Sequence, residues 1–316
     1  MRVLVTGAGG FIGSRLVDLL RARGCVGDKR ISALALADRR LADVAAGTCV
    51  IEGDLASVSM LQRIAEFRPD VVFHLAAIPG GAAESDYALG RRVNLDATLA
   101  LFERLANRDN PPVVVYASSI AVYGTDLPEL VTPETPLRPP LTYGAHKLAC
   151  EILLADFSRR GVLDGRSIRL PGIVARPREP SGLASAFMSD LLHALRAGER
   201  FICPVLPQAT AWWMSAPCCA ENIVHAAAMD VSGADPARAW PMPVLRLSIA
   251  QVIEICATLF GDDRRDLVRF EPTEKLEAVF GRYPPLDDMA PRALGLRDDG
   301  SPENLILRAT GMEQTQ

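Results

Sequence analysis

Two hydrophobic periods share this chain. Short, nearly continuous apolar runs lie at 2–6, 31–37, 49–52, 71–75, 113–117 and 167–174, the pattern of strands covered on both faces. Between them apolar residues recur at helical spacing. Phe11, Ile12, Leu16, Val17, Leu19 and Leu20 mark a helix that Gly24 stops. Val58, Leu61, Ile64 and Ala65 mark one over 57–67, and Val93, Leu95, Leu99, Leu101 and Phe102 a long one over 86–104. Ala145, Leu148, Ala149, Ile152, Leu153 and Phe157 mark another over 143–160. Strands alternating with helices predict an α/β fold, a Rossmann-type doubly wound parallel sheet. Beyond 174 the pattern loosens. Pro177, Pro180, Pro204 and Pro207 interrupt helices expected near 183–197 and 219–229, with a strand at 244–247 and helices at 249–260 and 302–310. The division expected is a dinucleotide-binding domain over 1–171 and a smaller, partly interleaved substrate portion over 172–316. Segments near 211–235 would return to the first domain.

Composition narrows the function. The chain is 49% hydrophobic and 23% charged, with a net charge of -4, and it holds no basic run, so a nucleic-acid partner is not expected. Seven scattered cysteines and four histidines show no metal-ligand spacing; no metal is expected, and the thiols read as reduced, in a cytoplasmic protein. No apolar run approaches the roughly 18 residues that a membrane span requires.

The candidate chemistry sits where strands end. Gly7-Ala8-Gly9-Gly10-Phe11-Ile12-Gly13 follows the first strand and opens the first helix. Glycines there let the backbone approach a pyrophosphate, which the helix N-terminus attracts. Asp38 ends the second strand, where a carboxylate accepts ribose hydroxyls and repels a 2′-phosphate, favouring NAD over NADP. Arg39 and Arg40 beside it point the other way, since guanidinium groups bind phosphate. The run 76–81 leaves the fourth strand as a small-residue loop with room for a cofactor. Asn94 lies amid apolar residues and needs hydrogen-bond partners. Ser118 and Ser119 end the fifth strand, and Ser119 precedes Tyr143 by 24 residues. On a helix Tyr143 and Lys147 share one face. An ammonium beside a phenol lowers its pKa from about 10 and makes a base, and a neighbouring hydroxyl can polarise a substrate oxygen.

Together these pieces resemble the extended short-chain dehydrogenases/reductases of the nucleotide-sugar epimerase/dehydratase branch. The matching residues are Thr6-Gly7-x-x-Gly10-x-x-Gly13, Asp38, Gly53-Asp54-Leu55, His74-Leu75-Ala76-Ala77, Asn94, Ser118-Ser119-x-x-x-Tyr123-Gly124, Tyr143-x-x-x-Lys147 and the tail Ala293-Leu294-Gly295-Leu296. The resemblance implies an NAD site drawn from Gly7, Gly10, Phe11, Ile12, Gly13, Asp38, Asp54, Leu55, Leu75, Ala76, Ala77, Asn94, Ser118, Tyr143, Lys147, Pro171 and Ile173. Asp54 would meet the adenine and Lys147 the nicotinamide ribose. Ser119, Tyr143 and Lys147 would be catalytic, with Ser119 rather than Ser118 facing the substrate. It also implies a homodimer through the helices near 86–104 and 144–159.

Two departures bear on the reaction. Dehydratases of the branch carry an acidic pair where this chain has Ile120 and Ala121, which transfer no protons. Nucleotide-sugar enzymes usually carry an Asn at the position of Gly172, so a nucleotide-sugar substrate is disfavoured. The combination Ser158-Arg159-Arg160-Gly161, Arg169-Leu170-Pro171 and Arg176-Pro177 is similar to the D-erythronate dehydrogenase subgroup. That likeness implies NAD-dependent oxidation of the 2-hydroxyl of a small sugar acid. A sugar or nucleotide-sugar epimerase is the alternative. A redox sensor without catalysis would not need both Tyr143 and Lys147. Arg176 is the candidate for the substrate carboxylate, through a bidentate ion pair; a surface arginine beside a proline turn would read the same.

Overall fold

A computed structural model describes residues 1–42, 44–106, 108–178 and 185–312. Pro180 and the first two residues of the helix expected at 183–197 lie outside them. In chain order the elements are β1 (Arg2–Thr6), α1 (Phe11–Arg23), β2 (Cys25–Val26), β3 (Lys29–Arg30), β4 (Ala33–Asp38), β5 (Cys49–Glu52), α2 (Val58–Phe67), β6 (Val71–His74), α3 (Gly80–Ser85), α4 (Tyr87–Arg91), a π turn (Arg92–Asp96), α5 (Ala97–Leu105), β7 (Val113–Ser119) and α6 (Thr142–Arg159). There follow β8 (Asp164–Leu170), β9 (Gly172–Val174), α7 (Ala186–Ala197), β10 (Phe201–Cys203), β11 (Thr210–Ser215), α8 (Ala216–Ala226), β12 (Ala239–Pro241), β13 (Leu245–Ser248), α9 (Ile249–Phe260), β14 (Val268–Phe270), α10 (Glu274–Phe280), α11 (Met289–Ala293) and α12 (Pro302–Ala309).

Seven strands form one parallel sheet in the order β12-β8-β7-β6-β1-β4-β5. The order reverses at β1, so ligands are expected at the carboxyl ends of β1 and its neighbours. One face is covered by α2, α5 and α6, through Met60, Leu61, Ile64, Leu101, Phe102, Leu105 and Leu154. The other carries α1 and α8, where Leu16, Val17 and Leu20 meet Ala220, Ile223 and Val224. A second core gathers α7, α9 and the sheet β13-β11-β9 around Trp212, Trp213 and Leu191.

Several expectations need correction. The second strand starts at Ala33, because Cys25–Val26 and Lys29–Arg30 pair as a hairpin before it. The 76–81 loop ends early, since α3 begins at Gly80. The long helix expected over 86–104 runs without a gap from Tyr87 to Leu105, with Asp86 as its cap, but its middle, 92–96, is a π turn between α4 and α5. The strand over 167–174 is two strands. Pro171 has no N–H to continue the ladder, and Gly172–Val174 pairs with β11 rather than β7. The helix near 219–229 runs from Ala216 to Ala226, with the Ser215 hydroxyl accepting from Cys218 N and a proline in the first turn. Ser118 and Ser119 belong to β7 itself, opposite Arg169 and Leu170 of β8.

Candidate active site

The loop between β1 and α1 is built on close approach. A Cβ on Gly7, whose φ is +68°, would lie 2.7 Å from Ala76 N; one on Gly13 would lie 2.0 Å from Gly7 O. Only glycine fits at either place. No side chain among the described residues caps the start of α1 at Gly10. Its first N–H groups therefore remain available to an anion, with Phe11 and Ile12 in the first turn. Asp38 closes this end. Its carboxylate accepts from Gly9 N at 2.9 Å and Arg39 N at 2.6 Å, which aims the acid at the glycine loop. Remaining lone pairs suit ribose hydroxyls. The cradle, the open helix start and this acceptor fit a dinucleotide.

The next strand ends build the wall. Leu75 N donates to Thr6 O, and Ala76 N reaches Thr6 Oγ1 at 3.4 Å. Ala77 precedes Ile78, whose N and O are held by the Asn94 amide at 2.7 and 3.0 Å. Asn94 thus fixes the loop that follows β6, and it lies in the π turn. Asp54 is engaged by Arg92, whose guanidinium holds its carboxyl below the usual carboxylate range, and it also accepts from Ala56 N. Leu55 is buried beside α2. Pro171 and Ile173 are buried where the chain leaves the main sheet, with the Ile173 side chain in the core under α1 and α8.

Ser119, Tyr143 and Lys147 come together beside this wall. Tyr143 stands in the first turn of α6, and Gly144 lets that turn seat closely. A Cβ on Gly144 would be 2.6 Å from Ala121 O, just past Ser119. The Ser119 hydroxyl accepts from Ala121 N at 3.1 Å. Burial pushes the phenol's pKa up; the Arg176 charge and the Ser119 hydroxyl oppose it. Lys147 is buried, its Nζ donating to Ala117 O at 2.7 Å, with the ammonium 4.7 Å from the Tyr116 ring centre and 5.5 Å from that of Tyr143. Burial lowers its pKa to about 8, against the opposing pull of Cys150 and Glu151.

Arg176 also reaches this place. Its guanidinium lies 5.0 Å from the centre of the Phe11 ring, and its charge and that of Tyr143 act on each other. Ser118 behaves differently from Ser119. Its hydroxyl donates to Glu151 Oε1 at 2.5 Å, away from its neighbour's role, and Glu151 also takes the Arg169 guanidinium. Arg169 in turn donates to the Tyr123 hydroxyl at 3.0 Å. Sequence reasoning passed over Glu151. The available signal was an acid four residues after Lys147 within an apolar helix. A second buried set, Thr6 Oγ1, His74 and Thr98 Oγ1, joins β1, β6 and α5 through contacts of 2.6 and 3.0 Å.

Among the described residues, no set of three or more His, Cys, Asp or Glu is gathered to hold a metal ion, and no helix is long and apolar enough to cross a membrane.

Known proteins carry the same framework. The chain is 36% identical to the D-erythronate dehydrogenase of Cupriavidus necator, over 97% of each chain. It is 30% identical to the D-erythronate dehydrogenase of Haemophilus influenzae, over 97% of this chain and 98% of that one. A solved structure, the nucleoside-diphosphate-sugar epimerase of Agrobacterium tumefaciens, superposes with a TM-score of 0.91 at 35% identity, covering 97% of this chain and 92% of that one. Residues 3–230 match the NAD dependent epimerase/dehydratase family. With its parallel sheet, glycine cradle and Tyr-x-x-x-Lys helix, the chain belongs to that family, within the extended short-chain dehydrogenases/reductases.

Proposed function

We propose that this enzyme uses NAD to oxidise the 2-hydroxyl of a small sugar acid, D-erythronate or a near relative, to the 2-oxo acid. The observation that carries the reading is the Tyr143–Lys147 pair of α6, with the ammonium 5.5 Å from the phenol ring centre, seated against the chain just past Ser119, together with Arg176 stacked on Phe11 at the glycine cradle. A hydroxyl, a phenol and a guanidinium at one place answer a substrate with one reacting oxygen and one carboxylate. The full-length likeness to two D-erythronate dehydrogenases supports the same class. Against a nucleotide sugar stands Gly172, where a Cβ would lie 2.8 Å from both Met188 Cε and Trp212 O. An asparagine does not fit there without displacement of the backbone or Met188.

The residues divide the work. Bound NAD supplies an acceptor for the hydride leaving C2. Tyr143, as phenolate, takes the proton of the C2 hydroxyl. Ser119 hydrogen-bonds the same oxygen and holds it in line. Arg176 pairs the carboxylate through two parallel hydrogen bonds. Lys147, fixed by Ala117 O, holds the nicotinamide ribose and adds positive charge. Asp38 would select NAD through the adenosine ribose, Asp54 would meet the adenine, and Leu55 would belong to the same site. The NAD-binding portion is assigned to 1–171 and the substrate portion to 172–316, with returns near 211–235. The enzyme is assigned to the cytoplasm, as a homodimer through α4, α5 and α6, on whose outer faces Tyr87 and Ile152 stand exposed.

The test is a panel of sugar acids with NAD, followed by NADH absorbance. D-erythronate or a close analogue should be turned over, and Tyr143→Phe should lower kcat by about 10² to 10⁴-fold while NAD binding survives. No NADH from any acid, together with epimerisation of a UDP-sugar, would replace this reading with that of an epimerase.

A further inference from the structure

The helix that carries Tyr143 begins without a capping side chain of its own. Its N-cap residue is Leu141, whose side chain makes no cap hydrogen bond. Leucine is among the weakest N-caps, so the first N–H groups of α6 need acceptors from elsewhere. Thr142 N finds one 58 residues back along the chain, where Glu84 Oε2 of α3 accepts from it at 2.9 Å. A carboxylate at that place also meets the positive end of the helix. Tyr143 is the next residue.

The segment that brings Glu84 there is itself held. Asn94 in the π turn fixes Ile78 through both its N and its O. Pro79 then opens α3, with Ala83 N donating to Pro79 O and Asp86 N to Ala82 O, each at 2.9 Å. Gly80 lies against the phenol: a Cβ there would stand 3.7 Å from Tyr143 Cβ and Cγ. Gly144, one residue further along α6, is seated on Ala121 O and Pro139. Ala145 N makes the bond that closes this first turn, to Leu141 O at 3.0 Å. The Glu84 side chain itself is exposed and takes no part in a core, so its loss leaves the packing of the fold in place.

We propose that Glu84 is a positioning residue for Tyr143: as a cap supplied from α3, it fixes the first turn of α6, and with it the phenol, to the loop that Asn94 holds after β6. This deepens the dehydrogenase reading and rests on it for the identity of the base. The effect passes through the backbone. Without the acceptor the first turn frays, Tyr143 leaves its line with the reacting oxygen, and turnover falls. NAD binding rests on the glycine cradle and Asp38 and should not change. Glutamine keeps an accepting oxygen at the same reach and gives up only the charge, whereas alanine has no acceptor.

The experiment compares wild type with Glu84→Ala and Glu84→Gln. With D-erythronate and NAD, Glu84→Ala should lower kcat by about five- to tenfold and leave KM for NAD within about twofold of wild type. Glu84→Gln should return kcat to within about twofold. A second readout needs no substrate. Amide hydrogen exchange is followed by mass spectrometry on the peptide covering 141–149. Glu84→Ala should speed it by about fivefold, Glu84→Gln should not, and peptides over 150–158 should exchange alike in all three proteins. If no sugar acid is turned over, the base assignment fails by itself, and the exchange comparison still decides whether Glu84 holds the turn. Equal kcat in all three proteins, or exchange over 141–149 that Glu84→Ala does not move, would overturn the inference. A loss in Glu84→Gln as large as in Glu84→Ala would overturn it too, since charge rather than the cap would then be at work.

Discussion

Glu151 and Arg169 form a two-pronged ion pair in the interior, with Arg169 Nη2 2.8 Å from Oε2 and Nε 3.1 and 3.3 Å from the two oxygens. The pair ties α6 to β8, and Ser118 joins it from β7. The helix that carries Tyr143 and the strand that carries Ser119 thus share one polar anchor. Glu151→Ala leaves a buried guanidinium without its partner and should cost about 3–5 kcal/mol of stability. Urea denaturation measures it. Replacing both residues by apolar ones of similar size should recover much of the loss; a single-variant cost under about 1 kcal/mol would show that the anchor is idle.

Gly144→Ala makes an opposite test of propensity against packing. Alanine favours a helix by about 1 kcal/mol over glycine. Here its Cβ would meet Ala121 O at 2.6 Å and Pro139 Cβ at 2.8 Å, so α6 must back away from Ser119. A lower Tm and a kcat reduced by at least about tenfold are expected. Gly80→Ala is the control, because its Cβ would touch the Tyr143 ring at an ordinary 3.7 Å. Equal losses in both variants would contradict the close seating of α6.

Cofactor preference should follow Asp38. A lost charge-assisted hydrogen bond to ribose is worth about 1.5–3 kcal/mol, so Asp38→Ala should reduce kcat/KM with NAD by about ten- to hundredfold. Activity with NADP should rise, since Arg39 and Arg40 stand exposed nearby. Kinetics with both cofactors check this, and a wild-type preference for NADP would shift the credit to the arginines.

Acid stability should track His74. Burial lowers its pKa to about 3, with the Lys147 charge acting in the same direction. The unfolded chain has the higher pKa, about 6.5. It therefore binds an additional proton between these values, and stability falls as pH drops through that window. His74 contributes nothing to the slope above about pH 7. His74→Gln should flatten the fall in Tm between about pH 6 and pH 4. An unchanged slope would assign acid sensitivity to other groups.

The first half of the chain was readable because each strand and helix there carries its own period and stop. Gly24, for instance, adopts the left-handed cap that its position suggested, and Ser57 accepts from Met60 N at the start of α2. Errors fell where a local signal was overruled by a distant one. Gly80-Gly81 reads as the end of a loop, yet Gly80 lies against Tyr143 and begins a helix. The π turn at 92–96 breaks no apolar period, but it lies where Asn94 reaches Ile78. Pro171 split a strand whose second half finds its partner in β11, about forty residues later. Arg176 could be nominated by charge, but its contact with Phe11 comes from tertiary packing that no spacing reveals.

The packing of α8 against α1 has a consequence for dissecting the gene. Leu16, Val17 and Leu20 are sealed by side chains from residues 216–226. Edge strand β12, which completes the sheet beside β8, arrives only at 239–241. A fragment ending at 171 would hold the whole glycine cradle and most of its strands, yet it would leave a bare apolar face and an unpaired edge. Such a piece is prone to aggregate. A transplantable nucleotide-binding cassette would have to be cut as two separated stretches and rejoined, because the chain returns to finish its first layer after starting its second.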